Sequence, residues 1–325
     1  MRDTAARIRT GTQPGRPASD DDPRIRTSLS HLMSLEGQAR SLSFLPRQPA
    51  RSILNGAHAS RLRGRGLNFE ELRGYLPGDD VRSIDWKVTA RTGEPHIRVM
   101  TEERDRPALI VVDQRMSMFF GSRLNMKSVT AAETAALAAF RILDQGDRVG
   151  GIVFGDVTIA EIRPQRSRAA LRRFLSALAD ASSLLSADAP AVEPILLSQV
   201  LRATMRIAPK NQLVIVLSDF DGIDEEADRL ISSLARHNDL VLGVVTDPMA
   251  HDIPQGLRMV VSDGELQVEI DTDDRTQHRA LLDMVRGRLA TVLGWQRRFG
   301  IPVLPLSAGE ETLPQIRRLM GLAPS

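Results

Sequence analysis

Apolar runs and amphipathic stretches alternate along residues 107–325 of the chain. Short runs that are apolar apart from Gln212 occupy residues 108–112, 212–217 and 240–245, and such runs are typical of strands buried on both faces of a parallel sheet. A further short strand is predicted at residues 303–306, and helical periodicity marks six segments: residues 126–143, 167–181, 195–207, 224–237, 276–299 and 312–320. This alternation predicts an α/β domain over residues 107–325, with a mostly parallel sheet and helices on both faces.

The first 106 residues lack this pattern and divide into three predicted segments. Residues 1–26 carry almost no large apolar side chains, which predicts a disordered tail. Residues 27–63 combine loosely helical apolar spacing with many arginines, and we expect a helical, basic leader. Residues 64–106 are rich in Gly, Arg and Asp with short strand patterns, and we expect a separate, small β-rich subdomain. Its predicted core residues are Phe69, Tyr75 and Trp86.

The composition is that of an ordinary globular protein and excludes several kinds of chemistry. Of 325 residues, 42% are hydrophobic and 26% are charged, and 43 basic residues nearly balance 41 acidic ones. The formal net charge of +2 gives no reason to expect a general polyanion binder. Without cysteine, the chain has no thiolate metal ligand, disulfide or cysteine nucleophile. No stretch approaches the roughly 20 apolar residues that cross a bilayer, so we expect a soluble, cytoplasmic protein.

Sequence motifs of the common enzyme classes are missing. The chain contains no G-x-x-x-x-G-K-[ST] phosphate loop, no G-x-G-x-x-G fingerprint, no H-E-x-x-H zinc motif and no G-x-S-x-G nucleophile elbow. Its six histidines show no spacing typical of metal ligands. Phosphate-loop hydrolysis, hydride transfer and zinc proteolysis are therefore unsupported, and we expect a protein that is not an enzyme.

Acidic and hydroxyl side chains follow two of the predicted buried strands. Asp113 and Ser117 come after the first strand, and Asp219 and Asp221 come after the second. Because parallel strands place their carboxyl ends at one edge of the sheet, we expect these side chains to approach the same cleft. Carboxylate and hydroxyl oxygens bind hard cations, but the same side chains also cap helices and satisfy loop amides. Spacing alone leaves both interpretations open.

A second group of charged residues surrounds Pro77-Gly78, a dipeptide that predicts a tight turn. The motif P-G-D-D-x-R-x-x-D-W and its flanks place three acidic residues near three arginines: Asp79, Asp80, Asp85, Arg73, Arg82 and Arg91. One interpretation is a compact turn held by arginine–carboxylate pairs over a core of Tyr75 and Trp86. The other interpretation is a docking surface for a partner, and the two are compatible.

These two patterns, in this order, resemble the signature of domain-of-unknown-function family fifty-eight. The similarity is carried by residues 64–93, with L-R-G-Y-L-P-G-D-D-V-R-S-I-D-W at their centre, and it is extended by residues 102–106 and 146–150. Members of that family are von Willebrand factor A-like proteins, commonly encoded beside MoxR-type AAA+ ATPases. The resemblance covers roughly residues 50–320. It implies a von Willebrand factor A-like, Rossmann-type fold and a MoxR-type AAA+ ATPase as partner.

In A-type domains, a metal-ion-dependent adhesion site uses Asp-x-Ser-x-Ser after the first strand, a later threonine and a later aspartate. By this resemblance, Asp113, Ser117 and Asp219 match three of the positions. Arg115 replaces the first serine, and residues 186–194, where the threonine is expected, contain none. A guanidinium in that place repels a cation by ~4 kcal/mol at about 4 Å and an effective dielectric of roughly 20. We expect a degenerate, metal-free site in which Arg115 pairs with Asp113 or Asp219 and meets a partner's carboxylate; weak Mg²⁺ or Mn²⁺ binding stays open.

The resemblance and the missing motifs together predict a non-enzymatic adaptor that acts with a MoxR-type AAA+ ATPase on a client complex. The interaction residues expected for it lie in the cleft and in the motif around Pro77: Arg115, Asp221, Arg73, Tyr75, Gly78, Asp79, Asp80, Arg82, Asp85, Trp86 and Arg91. No cofactor is expected. Two alternatives stay open: a metal-dependent hydrolase that uses Asp113 and Asp219, and nucleic-acid binding through the basic residues 40–65.

Overall fold

A computed structural model describes residues 5–8, 22–40, 42, 67–76, 81–102, 107–186, 192–250, 258–262, 267–271 and 275–320 of the chain. Within these ranges the strands are β1 (Ala5–Ile8), β2 (Leu67–Gly74), β3 (His96–Glu102), β4 (Ala108–Asp113), β5 (Val149–Phe154), β6 (Ile159–Gln165), β7 (Leu213–Ser218), β8 (Asp239–Thr246), β9 (Arg258–Ser262), β10 (Gln267–Asp271) and β11 (Val303–Ser307). The helices are α1 (Leu29–Ser34), α2 (Glu36–Arg40), α3 (Trp86–Thr92), α4 (Lys127–Asp144), α5 (Arg168–Leu184), α6 (Leu197–Ile207), α7 (Glu225–His237), α8 (Arg275–Phe299) and α9 (Thr312–Leu319).

The chain divides into two compact units. The smaller unit comprises Leu54–Asp105, and the larger unit comprises Met1–Ile53 together with Arg106–Ser325. A six-stranded sheet in the order β11-β8-β7-β4-β5-β6 forms the centre of the larger unit. Five of its strands are parallel, and β6 pairs antiparallel with β5 at one edge. The predicted α/β class with a mostly parallel sheet is therefore confirmed.

Helices cover both faces of the central sheet, and alternate residues of its strands point to opposite layers. Leu109 and Val111 of β4 belong to the core that includes residues of α6, α7 and α8. On β5, the position of Gly151 faces the ring of Phe174 on α5 instead. Burial on both faces explains why β4 and β7 are apolar at every position before their last residue. No helix in the described ranges is long and apolar enough to span a membrane.

The leader helices α1 and α2 pack on α4 and α5 within the larger unit. Leu32 of α1 is fully buried, and Nε2 of His31 lies 2.6 Å from Oε1 of Glu133 on α4. The backbone N–H of Met126 donates a hydrogen bond to the carbonyl of Arg24 at 2.8 Å, just before α4 begins. The described part of the leader thus belongs to the α/β unit, and residues 43–63 lie outside the described residues.

The structure differs from the predicted disordered tail, residues 1–26, in two places. Ala5–Ile8 form β1, which pairs antiparallel with β9 in a three-stranded sheet completed by β10. Arg26 donates hydrogen bonds from Nε and Nη2 to the carbonyl of Leu185, at 2.9 and 2.8 Å. Backbone pairing and one arginine need no large apolar side chains, so the composition of the segment did not reveal either contact.

In its described residues, the smaller unit contains an antiparallel pair of strands and a short α-helix. β2 pairs with β3, and α3 packs beside β3. The helix begins after Asp85, whose Oδ1 accepts hydrogen bonds from the N–H groups of Lys87 at 3.0 Å and Val88 at 3.2 Å. This aspartate is an N-cap, and the prediction of a β-rich segment over residues 64–106 missed the helix that it starts.

Trp86 is not a core residue, so that prediction is wrong. It is the first residue of α3 and is 69% exposed. Tyr75 is partly buried, and Phe69 lies on β2, where its side chain is outside the described part of the structure. Composition alone predicted that a large aromatic residue such as Trp86 would lie in the core of this small unit. Asp85 instead starts a helix at this point, and Trp86 is its exposed first residue.

Candidate functional site

Asp113 and Asp219 lie at neighbouring strand ends on the carboxyl edge of the central sheet. Asp113 is the last residue of β4, and Asp219 directly follows β7, the parallel neighbour of β4. Both residues are buried, with exposed fractions of 0% and 4%. A buried carboxylate is stable only with cations or hydrogen-bond donors around it, so the partners of these two groups define the site.

Arg115 forms a two-point ion pair with Asp113. Nη2 of Arg115 lies 2.7 Å from Oδ2 of Asp113, and Nε lies 3.1 Å from Oδ1. The backbone N–H of Arg115 also donates to Oδ1 at 3.0 Å, and the Ser218 hydroxyl donates to Oδ2 at 2.6 Å. The pairing of Arg115 with Asp113 expected from the sequence is present, and it leaves the carboxylate fully bonded inside the protein.

Two further N–H groups of the Arg115 guanidinium donate hydrogen bonds to backbone carbonyls of the chain. Nη1 donates to the carbonyl of Ile195 at 3.3 Å and Nη2 to that of Asp221 at 3.1 Å, with the group 5.3 Å from the Phe154 ring centroid. Burial acts to lower the pKa of Arg115, but the carboxylates of Asp113, Asp219 and Asp221 outweigh burial and raise that pKa. Arg115 is only 3% exposed. The expectation that its guanidinium meets a partner's carboxylate is therefore corrected, because the group is enclosed.

Lys127, the first residue of α4, is the counter-ion of Asp219. Its Nζ lies 2.6 Å from Oδ2 of Asp219. Oδ1 accepts hydrogen bonds from the backbone N–H of Asp221 at 3.0 Å and the Ser117 hydroxyl at 3.4 Å, while Nη1 of Arg288 lies 3.8 Å from Oδ2. Burial acts to raise the pKa of Asp219, but the surrounding cations, led by Lys127, hold that pKa well below its ordinary value.

A left-handed turn and helix α8 hold Asp221 beside these ion pairs. Phe220 has a φ of 57°, a conformation that is rare for a bulky residue and costs about 1 kcal/mol or more. Its buried ring packs edge-on against Trp295 of α8, with the centroids 6.1 Å apart. Two turns earlier on α8, Arg288 places Nη2 2.6 Å from Oδ1 of Asp221. Helix α8 therefore supports the turn at two points.

Asp156, just after β5, fixes the loop that carries Arg115 and Ser117. Its Oδ2 accepts a hydrogen bond from the backbone N–H of Met116 at 2.9 Å, and its carbonyl accepts one from the N–H of Ile195 at 2.9 Å. Burial raises the pKa of Asp156, and the bond from Met116 opposes this shift only in part. The Asp156 carboxylate thus links the loop after β5 to the loop after β4, and its burial removes part of the hydration of its charge.

The residues at this edge of the sheet do not fit a divalent cation. Mg²⁺ and Mn²⁺ take about six oxygen ligands in a near-octahedral arrangement. The oxygens of Asp113 and Asp219 instead face the guanidinium of Arg115 and the ammonium of Lys127, which already neutralise both carboxylates. Across the described ranges, no three His, Asp or Glu side chains form a group able to hold a metal ion.

The structure brings together the five residues that the sequence predicted for the cleft: Asp113, Arg115, Ser117, Asp219 and Asp221. The motif residues belong to the smaller unit, where the described ones are Arg73, Tyr75, Arg82, Asp85, Trp86 and Arg91, while Gly78, Asp79 and Asp80 lie outside the described residues.

The sequence analysis did not predict three side chains that bond to these aspartates: Ser218 to Asp113, Lys127 to Asp219 and Arg288 to Asp221. Lys127 carried a usable signal, because it is one of only three lysines and opens a helix that follows the first strand-end loop. Arg288 carried none, since it is one of 40 arginines and lies 67 positions from Asp221.

The chain belongs to the family described as "Protein of unknown function DUF58", whose match spans residues 71–286. This result confirms the resemblance drawn from the sequence motifs. Similar proteins include uncharacterised proteins of Mycobacterium bovis and Mycobacterium tuberculosis, which are 28% identical over 304 residues. Each alignment covers 92% of this chain and 90% of the relative.

Among solved structures, the chain is similar to the conserved hypothetical protein BatB from Bacteroides thetaiotaomicron. The similarity covers 66% of this chain and 95% of that protein at 13% identity, with a TM-score of 0.39. A TM-score of this size does not establish a shared fold, so the architecture of this chain stands on its own sheet order and helices.

Proposed function

We propose that this chain is a non-enzymatic interaction protein, an A-type domain whose cleft uses built-in cations where such domains hold a metal ion. The observation that carries the proposal is the double ion pair of Arg115 with Asp113 and of Lys127 with Asp219. Because both carboxylates are neutralised within the chain, neither is disposed as a metal ligand or a general base. Such a cleft supports binding rather than turnover.

Lys127 and Arg288 form the cationic part of the cleft that a partner can reach. Their side chains are 12% and 21% exposed, against 4% for the side chain of Arg115. An acidic side chain of the partner would contact Lys127 and Arg288, which also pair with Asp219 and Asp221. Such charge pairing determines how the partner is oriented more than how tightly it binds. This assignment replaces Arg115 by Lys127 and Arg288 as the contacting cations.

The proposed partner is a MoxR-type AAA+ ATPase, and the chain acts as its adaptor in the assembly or activation of a client complex. Support for this partner comes from membership of the family, because the resemblance drawn from the sequence implies genes that lie beside those of such ATPases. The proposal places the ATPase contact at the carboxyl edge of the sheet, where the charged cluster and its two partly exposed cations lie.

The direct test is binding of the purified MoxR-type ATPase of the same organism, with ATP and without nucleotide. Lys127→Met is expected to weaken binding about tenfold, since it removes one of the two accessible cations. Lys210→Met is the matched control, because Lys210 is an exposed lysine outside the cluster and its loss should leave binding within about twofold. Absence of binding in both nucleotide conditions contradicts the partner, and equal binding of the two variants contradicts the cleft.

The two alternative functions make different predictions for the same preparation. A hydrolase that uses Asp113 and Asp219 requires turnover of a phosphate ester that depends on added metal. Nucleic-acid binding through residues 40–65 requires an affinity that falls steeply with salt concentration. No contact among the described residues favours either function.

A further inference from the structure

Trp86 presents a large apolar surface to solvent. Its exposed fraction of 69% is the highest among the large apolar side chains of the described residues. Single exposed leucines and valines are common on protein surfaces, but a tryptophan exposed to this extent calls for a specific role. Tryptophan and arginine are also the residues that most often dominate the binding free energy of protein interfaces.

Four of the five exposed residues of α3 lie on one continuous face, and the fifth, Thr92, lies at the end of the helix outside that face. Trp86, Lys87, Ala90 and Arg91 are all exposed. At 3.6 residues per turn they share an arc of roughly 140° on the helix surface. The opposite side carries Thr89, whose hydroxyl accepts a hydrogen bond from the backbone N–H of His96 at 3.1 Å. One side of α3 therefore holds the helix to β3, and the other side is an apolar anchor flanked by two cations.

This face is held rigidly. The backbone N–H of Asp85 donates to the carbonyl of His96 at 2.8 Å, and the Asp85 side chain caps the first turn of α3. Gly93 ends the helix at a φ of 79°, where its N–H donates to the carbonyl of Thr89 at 2.9 Å. Because both ends of the helix are fixed, docking onto this face orders little additional backbone.

We propose that this face of α3, with Trp86 as its apolar anchor, docks an acidic protein surface. The helix sequence W-K-V-T-A-R-T contains two cations and no acidic residue, so its charge complements a negative partner. A single-stranded nucleic acid is the weaker candidate, since stacking platforms use successive aromatic residues and this face carries one. The proposal stands whether or not the docked protein is the ATPase inferred above.

Photocrosslinking in the native host tests the proposal on the full-length chain. p-Benzoyl-phenylalanine at Ala90 lies on the same face as Trp86 and leaves the anchor intact. The matched control places the same group at Leu184, which is 66% exposed at the end of α5. The expected result is an adduct, specific to position 90, with a protein whose crosslinked peptide carries a net negative charge. Trp86→Ala and the charge reversal Lys87→Glu with Arg91→Glu should each lower its yield at least fivefold.

Several results would overturn the proposal. They are an adduct with nucleic acid, an adduct within the chain or with a second copy of it, a crosslinked peptide that is neutral or basic, and a yield no higher than that at Leu184. An adduct that survives both Trp86→Ala and the charge reversal would also refute it. An acidic protein other than a AAA+ ATPase would support this docking face and leave the ATPase contact at the cleft to its own binding test, so the two proposals fail separately.

Discussion

Replacing Arg115 by methionine removes the cation from Asp113 while keeping an apolar side chain of similar length beside Phe154. Asp113 has no exposed surface and loses its bonds from Nη2 and Nε. Breaking a buried ion pair by removing one partner costs about 3–5 kcal/mol. Because the Ser218 hydroxyl and one backbone N–H still donate to the carboxylate, we expect a loss near the lower end, about 3 kcal/mol.

Urea unfolding followed by tryptophan fluorescence measures this loss. The chain has two tryptophans, so a Trp86→Phe background leaves the fully buried Trp295 as the only reporter of the larger unit. Arg172→Met, at an exposed arginine of α5, is the control and should stay within about 0.5 kcal/mol of the parent. The double variant Asp113→Asn with Arg115→Met should recover at least ~1.5 kcal/mol, because it also removes the stranded charge. A single-variant loss below about 1 kcal/mol, or no recovery in the double variant, would mean that Arg115 does not stabilise a buried, charged Asp113.

Three further changes test other contacts of the larger unit. Hydrogen bonding to Glu133 raises the pKa of His31, so the stabilisation from this pair is present at low pH and lost as pH rises through the raised pKa. His31→Gln should therefore lower the urea midpoint at pH ~5.5 and leave it unchanged at pH ~9. Burial raises the pKa of Asp156, so Asp156→Asn should raise the midpoint at pH ~7, with the gain gone once the aspartate is protonated near pH ~3. Gly151→Ala places a Cβ 2.1 Å from the Phe174 ring and should cost about 1–3 kcal/mol in thermal or urea unfolding, whereas an unchanged midpoint would contradict the packing.

The central sheet was predictable because its strands carry a strong local signal. The apolar runs at residues 108–112, 212–217 and 240–245 correspond to β4, β7 and β8, and each is buried on both faces. The helical segment predicted over residues 224–237 is α7, and Asp224 caps it by accepting a hydrogen bond from the Ala227 N–H at 2.6 Å. Continuous apolarity and capping are set by neighbouring residues, so they can be read without knowing the tertiary structure.

The candidate site was predictable only in part. The approach of Asp113 and Asp219 follows from the rule that parallel strands end at one edge of a sheet. The cations that neutralise Asp219 reach it from α4 and α8, and Lys127 is 92 positions away in the sequence. A long, flexible side chain that arrives from another helix leaves no periodic pattern, so Lys127 and Arg288 emerged only from the structure.

Trp86 shows how a local capping interaction can override composition. In a segment with few apolar residues, a tryptophan was expected in the core. Asp85 instead caps a helix whose other side carries the contacts to β3, and this geometry turns Trp86 outward. Strand β1 was missed for a different reason, since Ala5–Ile8 pair with β9 through backbone groups some 250 positions away.

Calorimetric titration of the wild-type chain with Mg²⁺ and Mn²⁺ shows whether built-in cations take the place of a metal ion in this cleft. We expect no saturable binding up to ~1 mM metal, because the carboxylates of Asp113 and Asp219 are already neutralised by Arg115 and Lys127. Sub-millimolar binding of either ion that disappears in Asp113→Ala would contradict the claim.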